Sequence, residues 1–350
     1  NFTFLKYLQL KKKVVYIVAV LFIISGIFGY SYYQKIFGNA ITKEHILFVR
    51  STDSLLDVQK EISAISKNSD SFLWVAAKKN FLKPKAGRYV IAEGMSNNDL
   101  INMLRIGRQT PFKLSFNNQD TLEKLAGRVS TQVAADSVSL LATFKNKNFL
   151  TVNNLTTKSV LQIFIPNTYE FYWTVSPKEF RRKMLVSYKR FWNKSRLQKA
   201  KKLNLTNEEV ITLASIVQKE TAQASERPIV AGLYLNRLKN GWPLQADPTI
   251  IYCIKEKKGQ DYGVKRVLNI DLEIKSPYNT YKNQGLPPTL ISMPDISAID
   301  GVLNAQKHNY FYMCADVSKL GYHTFARSLA QHNRNAAKYH QWMNKQKVHR

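Results

Sequence analysis

One glutamate in this sequence occupies a position where a helix is expected to carry an apolar side chain. Val210, Leu213, Val217 and Glu220 follow one another at steps of three, four and three residues, which places them on one face of a helix. Burial of a lone carboxyl group disfavours its charged form and raises its pKa. A general acid working near neutral pH needs a raised pKa, so Glu220 is a candidate catalytic acid.

The position of Glu220 also has a plainer interpretation. Thr206 and Glu209 have the separation of a capping box, which predicts that the helix begins beside them. Glu220 could then lie at the wet end of this helix, or form an ion pair with Arg227 or Arg237. From spacing alone, the catalytic and the structural interpretations both stay open.

Polar side chains that suit a sugar-binding cleft follow Glu220 in the chain. Tyrosine rings pack on the faces of sugars, amides bond to hydroxyl groups, and nearby glycine and proline residues can hold a loop rigidly. The candidate binding residues are Arg227, Asn236, Arg237, Gln245, Asp247, Thr249, Tyr278, Asn279, Thr280 and His323. Each also has a structural interpretation, since an aspartate before a proline, for example, commonly begins a turn.

Two further acids are candidates to assist Glu220. If the helix continued past Glu220, the six residues to Glu226 would turn it by roughly 240°, so the two carboxylates would not share a face. Asp247 is predicted to lie on a loop and is free to enter the cleft. We therefore rank Asp247 above Glu226 as an assisting or substrate-orienting group, alongside a purely structural role.

The first long apolar segment predicts a membrane anchor. No residue is charged between Val14 and Tyr33, and these 20 residues give about 30 Å of helix, enough to cross a bilayer core. Lys6 and Lys11–Lys13 precede it, which predicts a cytoplasmic N-terminus and an extracytoplasmic remainder. The alternative is a cleaved signal peptide, but such a peptide normally has a shorter apolar core and a small-residue cleavage site.

Composition bounds the partners and the chemistry. The chain has 350 residues, 45% of them hydrophobic, and a formal net charge of +28, which favours anionic partners. Between residues 178 and 202 there are eleven Lys or Arg and one acid, with aromatic residues interleaved, but an exported chain is not expected to meet nucleic acid. A helix that buries its aromatics and exposes its bases is the preferred interpretation.

Cysteine and histidine usage predicts neither a disulfide framework nor a metal site. Cys253 and Cys314 are the only cysteines, and one bridge between them is possible without being supported by any pattern. The six histidines include no pair at metal-ligand spacing. We expect no metal and no cofactor.

The pattern of the rest of the chain predicts an α+β protein. Residues 46–118 read as a small mixed domain: a strand, a helix starting at Thr52 or Asp53, a short strand, a Ser96-capped helix that stops at Gly107, and another strand. From Thr121 to about residue 202 the pattern is mainly helical, interrupted by an apolar and aromatic stretch around Pro166.

Five ordered motifs resemble a known family. They are ASIVQKETAQASERPIVAGLYLNRL, PLQADPTIIY, SPYNTYKNQGLPP, ISMPDISAIDGVLNAQ and YHTFARSLAQHN. In this order behind a single anchor, they resemble the YceG-like endolytic murein transglycosylases, also known as the MltG family, and the likeness runs from the anchor to about Tyr339. Two departures are Gln218, where many relatives have a second glutamate, and Gln162–Phe164, where Leu-Glu-Gly is common.

The resemblance implies an activity and an organisation. It implies cleavage of the β-1,4 bond between N-acetylmuramic acid and N-acetylglucosamine in nascent peptidoglycan strands, with formation of 1,6-anhydromuramic ends and Glu220 as the catalytic residue. It also implies penicillin-binding synthases as partners and an inner-membrane location with a periplasmic catalytic domain. The implied parts are a cytoplasmic tail (1–13), a transmembrane helix (14–33), a linker (34–45), a LysM-like α+β domain (46–118), a larger α+β catalytic domain (119–345) and a basic tail (346–350).

Three rival functions are weighed against this one. The first is a non-catalytic peptidoglycan-binding scaffold, and the second is a muramidase that uses water and leaves reducing ends. The third, a membrane-tethered nucleic-acid binder, rests on charge alone and requires the cytoplasmic orientation.

Overall fold

The computed structural model describes residues 2–345 of a mixed α+β chain, so the predicted tail at 346–350 lies outside the described residues. The chain forms two compact units. The N-terminal unit comprises the chain up to Lys113 together with Glu170–Val175, and the C-terminal unit comprises Leu114–Tyr169 and the chain from Ser176 onward.

The first helix, α1 (Phe2–Phe37), contains the predicted membrane segment. Its stretch Leu10–Phe37 is long and apolar enough to cross a membrane, with a mean hydropathy of 2.3 and none of its most apolar window buried. The end of the helix is tied to the N-terminal unit, because Asn97 donates from Nδ2 to the Lys35 carbonyl at 3.0 Å. The Tyr32 ring also lies 5.3 Å from the ring of Trp74.

The N-terminal unit alternates short strands and helices around one core. Its remaining elements are β1 (His45–Val49), α2 (Leu55–Ile62), α3 (Ser69–Lys78), β2 (Gly87–Ile91) and α4 (Asn97–Ile106). Strands β1 and β2 are antiparallel, with Leu47 opposite Tyr89, and both side chains are fully buried. The core continues through the apolar faces of the three helices.

The helix ends of this unit test the sequence predictions directly. Ser96 caps α4 by accepting from the Asp99 amide, and Gly107 ends the helix with φ of 77°, as predicted. The start of α2 was predicted at Thr52 or Asp53, but its N-cap is Ser54, whose side chain forms a capping box with Asp57. Ser54 is the cap because Asp57, three residues further on, completes the reciprocal hydrogen bonds of the capping box.

The C-terminal unit is mainly helical. From residue 112 onward the elements are β3 (Phe112–Phe116), α5 (Leu122–Ser130), α6 (Ser137–Phe144), α7 (Lys147–Val152), β4 (Asn167–Phe171), α8 (Pro177–Phe191), α9 (Lys194–Lys202), α10 (Asn207–Glu220), α11 (Arg227–Lys239), α12 (Asp247–Lys258), α13 (Ile296–Leu303), β5 (Tyr312–Ala315), β6 (His323–Ala326) and α14 (Leu329–Lys345). Strand β3 pairs with β4, and β5 forms an antiparallel hairpin with β6. The stretch around Pro166 thus interrupts the helices, as predicted, and the strand that it contains was not predicted.

The division between the two units falls within strands β3 and β4. The sequence suggested continuous domains that meet near residue 118, whereas Glu170–Val175 belongs to the N-terminal unit. There, Trp173 packs against Phe48 with ring centroids 5.1 Å apart, and Thr174 shares hydrogen bonds with Gln109. These contacts recruit a segment that is remote in sequence, which no local pattern reveals.

The basic segment after residue 178 forms two helices instead of one. Phe180, Tyr188 and Trp192 are buried, while most of the lysines and arginines on α8 and α9 are exposed. This arrangement confirms the amphipathic interpretation of the segment. Arg181 is an exception among the bases, since it is buried.

Helix α10 lies at the centre of the C-terminal unit and packs against α11, α12 and α13. Its N-cap is Thr206, which forms the predicted capping box with Glu209. Val210, Leu213 and Val217 are completely buried, so the apolar stripe predicted from their spacing is confirmed.

Truncation of α10 should show how much the unit depends on this helix. We expect Leu213→Ala to reduce the free energy of unfolding by about 2–5 kcal/mol, because it leaves a cavity at a fully buried position. Leu197→Ala on α9, where the side chain is 46% exposed, should change it by less than about 0.5 kcal/mol. Urea unfolding of both variants measures the difference, and equal losses would contradict the central position of α10.

Candidate active site

Glu220 is the last residue of α10, and the chain turns away immediately after it. Thr221 has extended backbone angles, so the helix ends at the carboxylate and does not carry it into the middle of a packed surface. The side chain of Glu220 remains partly accessible, although the preceding helical turns are buried. A ligand can therefore reach a carboxyl group that is otherwise surrounded by protein.

The surroundings of Glu220 shift the pKa of its carboxyl group towards neutral pH. Burial raises the pKa of the carboxyl group to about 7, and the nearby negative charge of Asp247 acts in the same direction. Two groups oppose this rise: the Tyr234 hydroxyl, which donates to Oε1 at 2.6 Å, and the positive charge of Arg237. At neutral pH the carboxyl group is thus populated in both protonation states, as an acid that must give and regain a proton requires.

Helix α11 supplies both groups that oppose the rise in pKa. Tyr234 and Arg237 are three residues apart and share one face of the helix. Arg237 is fixed by donating from Nε to the Phe311 carbonyl at 2.9 Å and from Nη1 to the Leu244 carbonyl at 2.5 Å. Burial, together with the Glu220 carboxylate, raises the pKa of Tyr234 well above its usual value, so this residue stays a donor.

Asp247 lies at the start of a helix, and the predicted loop position is wrong. It is the first residue of α12. Pro248 fits the first turn of this helix because backbone amides there have no partner within the helix, so a residue without an amide hydrogen is tolerated. Its side chain is exposed and accepts a hydrogen bond from the Tyr281 hydroxyl at 2.6 Å. Asp247 is nevertheless close enough to raise the pKa of Glu220, and its role as an assisting or substrate-orienting group stays a prediction.

The residue two positions before Asp247 has an unusual backbone. Gln245 has φ of 49°, in the left-handed region that residues other than glycine rarely adopt. Two hydrogen bonds to Thr280 stabilise this backbone conformation. The Gln245 amide donates to the Thr280 carbonyl, and the Ala246 amide donates to Thr280 Oγ1, both at 3.0 Å. Such strain often marks a functional position, and here it leaves the Gln245 side chain exposed beside Asp247.

Most of the other candidate binding residues form hydrogen bonds within the protein. Arg227 pairs with both oxygens of Asp295, at 2.7 and 2.9 Å, and Asn236 donates to the carbonyls of His308 and Tyr310. The loop candidates serve the same purpose: Asn279 bonds the carbonyls of Leu272 and Ile274, Thr249 and Thr280 bond each other, and the Tyr278 hydroxyl bonds Thr289. These bonds hold helices and loops of the C-terminal unit together, and direct contact of these side chains with a ligand stays a prediction.

Glu226 forms a clamp directly behind the end of α10. Because the helix stops at Glu220, the turn that follows returns Glu226 to the Thr221 hydroxyl, which donates to Oε2 at 2.9 Å. The other end of the clamp is His323, whose amide donates to Oε1 at 2.7 Å and whose Nδ1 lies 3.0 Å from Oε2. The buried Glu226 carboxylate therefore ties the end of α10 to strand β6.

Two of these features were not predicted. Tyr234 was not predicted, although it shares a helix face with the candidate Arg237. The hydrogen bond from Tyr281 to Asp247 was not predicted either, because no spacing rule connects a loop tyrosine to an acid on a distant helix. Among the described residues, no group of three His, Cys, Asp or Glu could hold a metal, and Cys253 and Cys314 are both free thiols.

Two substitutions should move the pKa of Glu220 in opposite directions. We expect Tyr234→Phe to raise it above about 7, because the hydrogen bond that stabilises the carboxylate is lost. Asp247→Asn should lower it, because a neighbouring negative charge is removed. Titration of the carbon-13-labelled carboxyl group by NMR measures both changes, and a shift of the same sign in the two variants would refute this account.

The clamp can be tested separately from the acid. We expect Glu226→Gln to reduce the free energy of unfolding by about 1–3 kcal/mol, since a buried acceptor of several hydrogen bonds is replaced by an amide that cannot accept all of them. The His323 amide should then exchange faster with deuterium. Glu208→Gln, an exposed change on α10, is the control and should leave that exchange unaltered.

Comparison with known proteins places this chain in context. The model of the YceG-like family matches residues 47–338. An endolytic murein transglycosylase of Streptococcus pneumoniae strain D39 is 29% identical over 307 residues, which cover 80% of this chain and 55% of the relative. An endolytic murein transglycosylase of Bacillus subtilis is 27% identical over 304 residues, covering 83% of this chain and 82% of the relative.

A solved structure agrees with these similarities in sequence. The 2.6 Å crystal structure of a yceG-like protein from Listeria monocytogenes superposes with a TM-score of 0.57 at 26% identity, covering 83% of this chain and 98% of that one. The chain spans about half the length of the pneumococcal relatives that it matches. Because the family match covers most of its residues, including those around Glu220, this chain belongs to the YceG-like family.

Proposed function

We propose that this protein is a membrane-anchored endolytic transglycosylase of peptidoglycan. It cleaves the β-1,4 bond between N-acetylmuramic acid and N-acetylglucosamine in nascent strands and leaves a 1,6-anhydromuramic end, which terminates strand elongation. The observation that carries this proposal is the partly accessible Glu220, whose pKa of about 7 suits proton transfer in both directions. The names of the pneumococcal and Bacillus relatives support the same reaction.

The proposed mechanism uses one carboxyl group twice. Protonated Glu220 first gives its proton to the leaving oxygen of the glycosidic bond. The resulting carboxylate, steadied by the Tyr234 hydroxyl, then takes the proton from the muramic C6 hydroxyl as that oxygen attacks C1. The attack is intramolecular, so proximity lowers the barrier by several kcal/mol, on the order of 7 or more in favourable cases.

Asp247 is the residue that keeps a second mechanism open. A hydrolase that uses water needs two carboxylates flanking the bond, and Asp247 is an exposed acid beside Glu220. Glu226 is less suited to this role because both of its oxygens accept hydrogen bonds from Thr221 and His323. We assign Asp247 the task of keeping Glu220 protonated and orienting the sugar, and a water-using muramidase is the alternative that product analysis decides.

The substrate contacts follow from exposure. Gln245, Asp247 and Tyr281 present polar atoms beside the acid and are proposed to bond acetamido or hydroxyl groups of the glycan. The buried candidate binding residues are proposed to act indirectly, by holding α11, α12 and the loop from Ser276 to Pro288 in place. His323 is proposed to contribute through its ring, which is oriented by Glu226.

The proposed location rests on the first helix. The contacts of Tyr32 and Lys35 with the N-terminal unit would be lost if α1 were removed, which favours a retained anchor over a signal peptide. The lysines before the apolar stretch favour a cytoplasmic N-terminus and a periplasmic active site at the inner membrane. Penicillin-binding synthases are the proposed partners, and the N-terminal unit is proposed to be LysM-like.

Removal of the acid tests the proposal directly. We expect Glu220→Gln to slow cleavage of uncrosslinked glycan strands by at least about 10²-fold, because the amide cannot donate a catalytic proton. Glu208→Gln, on the same helix but exposed, should retain wild-type activity. Mass spectrometry of the products separates the mechanisms, since anhydro ends are lighter than reducing ends by one water.

The pH dependence supplies the second half of this test. Since Glu220 must be protonated at the start, kcat/KM should fall as pH rises through about 7. In Asp247→Asn this fall should begin at lower pH. Reducing ends in place of anhydro ends would establish the muramidase, and cleavage by neither wild type nor variant would favour the non-catalytic scaffold.

A further inference from the structure

A second concave site lies on the C-terminal unit, built around a buried arginine on α8. Arg181 is only 8% exposed, and its guanidinium lies 3.8 Å from the centre of the Phe149 ring. Nη1 donates to the Thr143 carbonyl at the end of α6. Stacking and this hydrogen bond fix the plane of the guanidinium.

The charge of Arg181 has no counterion among the described residues. No carboxylate of residues 2–345 acts on its charge, and its Nε is shielded from solvent without a hydrogen-bond partner. Glu179, the acid closest in sequence, accepts from Ser176 at the start of α8. Burial accordingly lowers the pKa of Arg181, as expected where the charged form is poorly solvated.

A cavity of about 460 Å³ adjoins this guanidinium. Its walls come from α6, α7 and α8 and include no acidic side chain. Lys178, one helical turn before Arg181, adds a second positive charge at the exposed rim. Asn148 and Asn153 also line the cavity.

A buried, unpaired cation is costly, so its retention beside an open cavity points to a ligand that supplies the missing negative charge. The donor geometry of a guanidinium edge matches two oxygens of one carboxylate or phosphate group. We propose that this cavity binds an oxyanion, a phosphate or carboxylate group, through the guanidinium of Arg181 with Lys178 as the second cation. None of the residues that line it contributes to the group around Glu220, so the proposal is independent of the proposed function.

The site can be tested by calorimetry on the full chain in detergent micelles. Inorganic phosphate and sodium acetate are titrated at constant ionic strength, with sodium chloride as the reference anion. We expect at least one oxyanion to bind, and Arg181→Gln to weaken that binding by at least about tenfold, because the charge-assisted hydrogen bonds of the guanidinium are lost. Arg182→Gln, the adjacent exposed arginine, removes the same charge and should leave the affinity within about twofold of wild type.

Two further variants separate a built site from surface charge and cover a variant that fails to fold. Arg181→Lys keeps the charge but loses the fork, so it should bind more weakly than wild type. Lys178→Gln, at an exposed position, should weaken binding by a few-fold without affecting the fold. The proposal is overturned if neither oxyanion binds more tightly than chloride, if Arg182→Gln weakens binding as much as Arg181→Gln, or if both Arg181→Lys and Lys178→Gln bind as wild type does.

Discussion

The hydrogen bond from Tyr234 to Glu220 is the interaction on which the proposed chemistry of this protein depends. Burial alone would hold the carboxyl group neutral and make it a poor base, whereas full solvation would ionise it and make it a poor acid. Burial destabilises the carboxylate, and the Tyr234 hydroxyl and the nearby charge of Arg237 restore part of its stability. The resulting balance lies near neutral pH, where one group can serve in both steps.

This balance requires that α10 ends at one particular residue. The turn after Glu220 is secured by Glu226, whose carboxylate binds the Thr221 hydroxyl on one side and His323 on the other. A longer helix would carry the acid past Tyr234, and a looser turn would expose it to water. The second acid of the region thus contributes by position, which explains why two carboxylates so near in sequence differ so much in their surroundings.

The buried arginines of the C-terminal unit differ in how far neighbouring groups compensate their charge. Arg227 is neutralised by Asp295, and Arg237 is held by two backbone carbonyls and acts on Glu220 through its charge. Arg181 has neither a carboxylate nor a full set of acceptors within the described chain, and it alone of the three lines the cavity between α6, α7 and α8. The protein has a formal net charge of +28 and therefore many basic side chains. Only a basic side chain that is buried loses its contact with water and needs a partner to compensate its charge.

The sequence by itself determined the local features: the apolar helix near the N-terminus, the caps at Thr206 and Ser96, and the stripe that ends at Glu220. These depend on residues a few positions apart, so spacing rules predict them. Only the tertiary structure decided that Tyr234 meets Glu220, that Glu226 reaches His323, and that residues 170–175 join the N-terminal unit. Such contacts join segments that are far apart in the chain or separated by a turn, and their geometry depends on how the helices pack.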